Sequence, residues 1–207
     1  TESFRHLGIS PLVLKDPTVD DMQIKIQKQA DSSKTSALFV CVMMHGIEGF
    51  VECRDDHLPI REILNTMGSN SMEGKPKVLV IQACRTEISC LRSTAFTNNR
   101  GHYDLRAPDM LVLNASYAGS RAARNVMIPM LANALRDTEG TGDIHQILLP
   151  IANEMKRVEP DQALVYFSSL RNKLLLSKVG DIFPLHIHFA QLSNTPKYAM
   201  DNDILVT

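Results

Sequence analysis

The sequence has no tryptophan, few aromatic residues of any kind and no excess of either charge. Its 207 residues include 22 Lys and Arg against 23 Asp and Glu, for a net charge of −1. This balance gives no electrostatic reason to expect nucleic acid or an anionic membrane as a partner. The longest apolar runs are about eight residues, which is too short to span a bilayer. The composition therefore predicts an ordinary globular domain whose partners are neither nucleic acid nor membrane.

Cysteine is also scarce, and its spacing argues against a metal or disulfide framework. The four cysteines are Cys41, Cys53, Cys84 and Cys90. They form no Cys-x-x-Cys pair or other spacing typical of zinc sites, and reduced thiols in a cytoplasmic protein fit them better than disulfides do. His186 and His188 form a His-x-His pair, which a polar strand face explains better than a metal site does, since a metal would need further ligands. We therefore expect no metal and no cofactor.

The most informative segment is an apolar run that ends on a cysteine. Residues 78–81 predict a buried strand, which Gln82, Ala83 and Cys84 follow. A second apolar strand over residues 37–44 ends on His45. In open α/β sheets the carboxyl ends of parallel strands carry the functional residues. Because a cysteine nucleophile needs a neighbouring base, two core strands that end on His and Cys predict a site for acyl transfer.

Each of these two residues also has a plainer interpretation. A cysteine at the end of a core strand is most often a small buried apolar residue, and a histidine there usually caps a turn. Together they suit a dyad in which Cys84 attacks a carbonyl carbon and His45 protonates the leaving amine. The backbone N–H groups of Gly46 and Cys84 are then the candidates for stabilising the oxyanion.

The rest of the chain alternates apolar strands with amphipathic helices, which predicts an α/β fold with a mostly parallel central sheet. We expect helices that begin near Thr18, Pro59, Val126 and Ile144. Further strands are predicted over residues 7–14, 110–116 and 163–176. Residues 85–108 have no consistent period and predict a long exposed loop. Alternating apolar residues over 183–189 predict a half-buried strand near the end of the chain.

These motifs resemble those of the caspase family. Residues 82–85 match four of the five residues of the caspase active-site pentapeptide, with Thr86 in the place of a Gly. Residues 45–49 resemble the His-Gly-x-x-Gly turn of the family, and residues 74–77 lead into the cysteine strand as in that family. Residues 109–125 resemble the start of the small subunit. The resemblance covers about residues 4–176.

The resemblance implies a caspase-like (caspase-hemoglobinase) sandwich, with helices on both faces of the sheet. A catalytic domain is expected over residues 1–178 and a C-terminal extension over 179–207. Within the domain, the large subunit, a linker loop and the small subunit would correspond to residues 1–85, 86–108 and 109–178. The implied activity is a cysteine endopeptidase that cleaves after Asp in apoptosis or related signalling. The implied assembly is a homodimer, or a heterodimer with another caspase.

The resemblance also assigns a pocket for the substrate Asp, called P1. Gln82 and Arg124 correspond to pocket residues, with Arg121 as an alternative for Arg124. A guanidinium group holds a carboxylate through two parallel hydrogen bonds, which suits this substrate. The family's second pocket Arg belongs to a segment that would precede Phe4, and Ala122 and Ala123 stand where Ser-Trp is usual. These departures keep open a second function, a caspase-like regulator that binds a complete caspase or an adaptor and has little activity itself.

Overall fold

The computed structural model describes residues 11–85, 107–123, 126–138, 141–175 and 185–191. The described strands are β1 (Leu12–Lys15), β2 (Ala37–Met43), β3 (Gly46–Ile47), β4 (Phe50–Glu52), β5 (His57–Pro59), β6 (Lys77–Gln82), β7 (Met110–Asn114), β8 (Val165–Ser168) and β9 (Leu185–Gln191). The described α-helices are α1 (Val19–Ala30), α2 (Ile60–Met67), α3 (Met127–Asp137) and α4 (Ile144–Val158).

Six of these strands form the central sheet, in the order β1-β9-β2-β6-β7-β8. All neighbouring pairs are parallel except β7 and β8, which are antiparallel. Parallel sheets are buried on both faces, and β2, β6 and β7 are accordingly almost completely buried. The predicted fold class, an α/β fold with a mostly parallel sheet, is confirmed.

Side chains of β2 and β6 alternate between two apolar cores, one on each face of the sheet. Phe39 and Val78 pack in the core that contains α3 and α4. Leu38 and Leu79 pack in the core that contains α1 and α2. Successive residues of a strand point to opposite faces, so a run of apolar residues serves both cores at once. The result is a sandwich of a sheet between two helical layers.

The helices agree well with the sequence-based expectations. Thr18 caps α1 through a capping box with Asp21, since each residue's side chain accepts a hydrogen bond from the other's backbone N–H. Helix α2 begins after Pro59 and ends before Gly68. Helix α4 begins at the predicted Ile144, and its apolar residues recur with helical spacing over four turns. None of the described helices combines the length and apolar character that crossing a membrane requires.

A second, antiparallel sheet follows His45 directly and was not predicted from the sequence. It contains the short strands β3, β4 and β5 in that order. Strands of two or three residues are too short to show a recognisable period. This small sheet leads the chain away from the end of β2 and back to the start of α2.

The strand near the end of the chain is also confirmed, and the structure adds its position in the sheet. Strand β9 lies parallel between β1 and β2. Among the described strands, β1 pairs with β9 alone. The division into a domain over 1–178 and an extension over 179–207 stays a prediction, but the extension contributes an interior strand to the central sheet. Apart from residues 107 and 108, the predicted linker loop over 86–108 lies outside the described residues.

Candidate active site

The two residues of the predicted dyad follow neighbouring strands of the central sheet. Strands β2 and β6 are paired in parallel with Met43 opposite Gln82. The N–H of Met44 donates a hydrogen bond to the carbonyl of Gln82, at 3.3 Å. His45 and Cys84 therefore leave the sheet at the same edge, one and two residues beyond this last contact.

Gly46 brings the backbone beside His45 into contact with the segment that carries Cys84. A Cβ atom at Gly46 would lie 3.1 Å from the Cβ of Ala83 and 3.2 Å from the carbonyl oxygen of Cys84. It would also lie 2.7 Å from the carbonyl oxygen of Phe50, which is too close for any side chain. The hydrogen atom of glycine thus allows the histidine and cysteine segments to meet.

Cys84 differs from the other described thiols in its exposure. Cys41 and Cys53 are buried, whereas Cys84 is partly accessible. Burial raises the pKa of the Cys41 thiol to about 12. Because the thiolate is the nucleophilic form, Cys41 is unreactive near neutral pH. His45 is exposed at the surface beside Gly46. The predicted nucleophile is therefore the accessible thiol of this part of the chain, while Cys90 lies outside the described residues.

Among the described residues, the backbone around Cys84 has one N–H group without a backbone acceptor. The N–H of Arg85 donates to the carbonyl of Ser120 at 2.8 Å, and the carbonyl of Arg85 accepts from Gly119 at 2.8 Å. The Cys84 N–H, by contrast, has no backbone acceptor among the described residues. This fits the predicted use of that N–H for an oxyanion, whose stabilisation needs a donor that is not already engaged.

A buried ion pair connects the cysteine segment to the turn after His45. The Nη2 atom of Arg85 lies 2.7 Å from Oε1 of Glu48, and Nη1 donates to the carbonyl of Ser116 at 3.3 Å. The Arg85 side chain is 3% exposed and that of Glu48 is 17% exposed. The second carboxylate oxygen of Glu48 is buried and has no hydrogen-bond partner among the described atoms. The sequence motifs indicated no separate role for Glu48 or Arg85.

The predicted pocket residue Gln82 is buried and holds a neighbouring loop. Its Nε2 donates to the carbonyl of Ala123 at 2.8 Å. Its Oε1 is buried without a partner among the described atoms. The N–H of Ala123 donates to Oε1 of Gln162 at 3.0 Å, and Nε2 of Gln162 donates to the carbonyl of Ala115 at 2.5 Å. Sequence reasoning missed Gln162, because a single Gln between a helix and a strand carries no recognisable signal.

The structure describes only some of the remaining candidate site residues. Arg124 lies outside the described residues, directly after Ala123 in the sequence. Arg121, the alternative, is exposed. Within the described ranges, no group of three or more His, Cys, Asp or Glu side chains could hold a metal ion. His186 and His188 lie on β9.

The fold and this edge together define an α/β protein with an imidazole and an accessible thiol at the ends of neighbouring parallel strands. The family model described as Caspase domain matches residues 1–175, which is most of the chain. The chain belongs to the caspase family, as its motifs indicated.

Individual relatives match shorter stretches. Human Caspase-14 is 37% identical over 93 residues, covering 41% of this chain and 38% of that protein. Caspase-7 of Gallus gallus is 31% identical over 90 residues, covering 41% of this chain and 29% of that protein. The chain thus matches less than two fifths of the length of these relatives. The crystal structure of caspase-1 from Spodoptera frugiperda has the same fold, with a TM-score of 0.71 at 20% identity over 87% of this chain and 80% of that one.

Proposed function

We propose that this chain is a cysteine endopeptidase that cleaves peptide bonds after Asp, with Cys84 as nucleophile and His45 as general acid and base. The observation that carries the proposal is the meeting of the two segments at one edge of the sheet, where Gly46 lies against the backbone of Cys84. The accessible thiol of Cys84 supports it further. Peptides or proteins with Asp at P1 are the proposed substrates.

The chemistry follows from these groups. His45 takes the proton of the Cys84 thiol, and the sulfur forms a bond to the carbonyl carbon of the substrate. As the C=O double bond becomes single, the carbonyl oxygen takes up the negative charge between the N–H groups of Gly46 and Cys84. The C–N bond then breaks, and His45 gives its proton to the leaving amine. Water, deprotonated by His45, attacks the resulting thioester. This second step releases the new carboxylic acid and returns the proton to the sulfur.

Charge explains the proposed preference for Asp. A carboxylate side chain is held best by a guanidinium, and Arg124 is the proposed donor with Gln82 beside it. Support for this pocket comes from the buried position of Gln82 and from its bond to Ala123, the residue before Arg124. Because Ala122 and Ala123 stand where Ser-Trp is usual in the family, this segment has no aromatic subsite wall, and we expect shallow selectivity beyond P1.

Alkylation by an electrophilic peptide that ends in Asp tests the dyad. We expect Cys84 to react far faster than Cys41, Cys53 or Cys90, as mapped by mass spectrometry. His45→Ala should slow the reaction at Cys84. The same electrophile ending in Asn is the matched control for the pocket. Equal labelling of all four cysteines would rule out the dyad, and faster reaction with Lys- or Arg-ended peptides would refute the pocket.

A regulator is the second candidate function, in which the chain binds a complete caspase or an adaptor and has little activity of its own. The segment of Ala122 and Ala123 favours this regulatory function. The small side chains of the two residues pack against the core. They replace the Ser-Trp pair usual in the family, so this segment offers no aromatic wall to a peptide. A reactive Cys84 without turnover of any peptide in a library would favour the regulator. Turnover after Asp would exclude it.

We further propose a homodimer, or a heterodimer with another caspase, through the edge strand β8. Among the described strands, β8 pairs with β7 alone, and Tyr166 on this strand is 47% exposed. An unpaired edge is a template for pairing with a second chain across a two-fold axis. Sedimentation velocity should detect the dimer, and monomer alone at high concentration, with no partner recovered, would contradict it. The buried free thiols support a cytoplasmic location, where a role in apoptosis or related signalling is proposed.

A further inference from the structure

We propose that Gln162 is a positioning residue of the substrate-binding segment, acting through Ala123 and together with Gln82. The inference rests on the proposed function of this site. It adds a residue from the loop between α4 and β8, 80 positions from Gln82 along the chain. Gln162 does not touch substrate in this scheme. It fixes the backbone that leads into the proposed carboxylate-binding residue Arg124.

Two buried side-chain amides hydrogen-bond the backbone of Ala123, one at its N–H and the other at its carbonyl. Oε1 of Gln162 accepts from the Ala123 N–H at 3.0 Å, and Nε2 of Gln82 donates to the Ala123 carbonyl at 2.8 Å. Gln162 is 3% exposed and Gln82 is 8% exposed. Hydrogen bonds shielded from water in this way are stronger than exposed ones, and leaving one partner unpaired costs more.

Gln162 is itself held in place from the other side. Its Nε2 donates to the carbonyl of Ala115, the residue directly after β7. The amide therefore bridges the end of a core strand and the loop of Ala123. An amide is suited to this bridge because it has a donor and an acceptor at one planar group without carrying charge. Its orientation is determined, since a flipped amide would place Nε2 against the N–H of Ala123 and Oε1 against the carbonyl of Ala115.

The two bonds fix two successive peptide units. Gln162 holds the unit between Ala122 and Ala123, and Gln82 holds the unit between Ala123 and Arg124. Each peptide unit is planar, so fixing both leaves the backbone of Ala123 little freedom to rotate. The side chain of Ala123 also packs against the core of α3 and α4. The backbone is therefore fixed up to the carbonyl of Ala123, the residue that directly precedes Arg124 in the sequence.

Loss of the Gln162 bonds should weaken substrate binding more than chemistry. In Gln162→Met, which keeps volume and removes both bonds, we expect kcat/KM for a peptide with P1 Asp to fall about 10- to 100-fold, the scale of a small misplacement. Most of the loss should appear in KM. Alkylation of Cys84 by iodoacetamide, which needs no pocket, should keep its rate. Gln146→Met, at an exposed position of α4, is the matched control and should change neither quantity.

A double-mutant cycle tests whether both glutamines act through one residue. If Gln82 and Gln162 hold the same loop, the combined loss in Gln82→Met with Gln162→Met should be smaller than the sum of the single losses. Losses that add fully would show that the two residues act independently and would overturn the proposal. Gln162→Asn, whose shorter side chain can reach only one partner, serves if the Met variant does not fold and should give a smaller effect in the same direction.

Amide hydrogen exchange at Ala123 separates this inference from the proposed function. We expect slow exchange in the wild-type chain and fast exchange in Gln162→Met. Unchanged exchange with unchanged KM would overturn the positioning role. Failure of the wild-type chain to cleave after Asp would overturn the proposed function instead, while the exchange result would still decide whether Gln162 holds Ala123.

Discussion

Strands β6 and β7 have buried polar residues at both ends. The two ends differ in how completely the buried polar atoms are hydrogen-bonded. At the amino end, Nζ of Lys77 donates to the carbonyls of Met72 and Lys75 at 3.0 and 2.7 Å. Asp109 accepts two hydrogen bonds from the guanidinium of Arg171, at 3.0 and 2.5 Å. No buried side-chain atom of Lys77 or Asp109 is left without a partner.

At the carboxyl end, two buried oxygen atoms have no hydrogen-bond partner among the described residues. They are Oε2 of Glu48, whose other carboxylate oxygen pairs with Arg85, and Oε1 of Gln82, which lies two residues before Cys84 in the sequence. Native proteins pair nearly all buried polar atoms, so an exception needs an explanation such as a functional role. The polar groups of the amino end thus serve stability, whereas the carboxyl end has buried oxygen atoms that no described residue engages, where the chemistry is proposed.

The largest effect should come from the nucleophile itself. Cys84→Ala should lower peptide cleavage by about 10⁴-fold or more, since removing a nucleophile leaves only the contribution of binding and oxyanion stabilisation. Its free energy of unfolding should change by less than about 1 kcal/mol, because the side chain is partly exposed and small. Chemical denaturation and peptide cleavage measured on the same preparation check this. Loss of stability equal to that of a buried core variant would contradict the division between the two ends.

Loss of the ion pair between Glu48 and Arg85 should lower both the stability of the fold and the reactivity of Cys84. Glu48→Ala leaves the Arg85 guanidinium without this carboxylate, and loss of one partner of a buried pair costs up to about 3–5 kcal/mol of stability. Because Arg85 follows Cys84 directly, we also expect slower alkylation of Cys84 by the Asp-ended electrophile. Urea denaturation and labelling rates measure the two effects. Glu52→Ala, a partly buried carboxylate on β4, is the control, and an equal response there would show that Glu48 has no special position.

Arg124, which is proposed for the pocket, and Arg171, which lies at the amino end, give a direct comparison. Arg124→Ala should lower cleavage after Asp by roughly 30-fold to several thousand-fold, which corresponds to the loss of one desolvated charged contact of about 2–5 kcal/mol. Reaction of Cys84 with iodoacetamide should persist. Arg171→Ala should leave kcat/KM unchanged and lower the unfolding midpoint, since Arg171 pairs with Asp109 at the opposite edge. Equal losses of activity in both variants would refute the assignment of Arg124 to the pocket.

The parts that sequence predicted are those with local signals. Helix α4 shows its period over fifteen residues, and strands β2 and β6 are continuous apolar runs. The shared edge of His45 and Cys84 followed from these runs, because parallel neighbours end on the same side of a sheet. The position of β9 depends on pairing with residues about 150 positions away, between Ala37 and Leu185 for example, and no local pattern encodes such a partner. The hydrogen bonds of Gln162 to Ala115 and Ala123 could not be predicted for the same reason.

The smallest expected effect is a pH-dependent change at the amino end. Hydrogen bonds from Arg171 hold the pKa of Asp109 below its usual value of 3.8. A carboxyl whose pKa is lowered by folding stabilises the folded state fully above its unfolded pKa. Asp109→Asn should therefore be less stable than the wild-type chain at pH 7. The difference should shrink as the pH falls below about 3.8 and through the lower folded pKa, because protonated Asp109 loses the same charge. Thermal unfolding at a series of pH values measures it. Asp161→Asn, at an exposed position, controls for the substitution. A difference that stays constant down to pH 2 would contradict the role of the Asp109 charge.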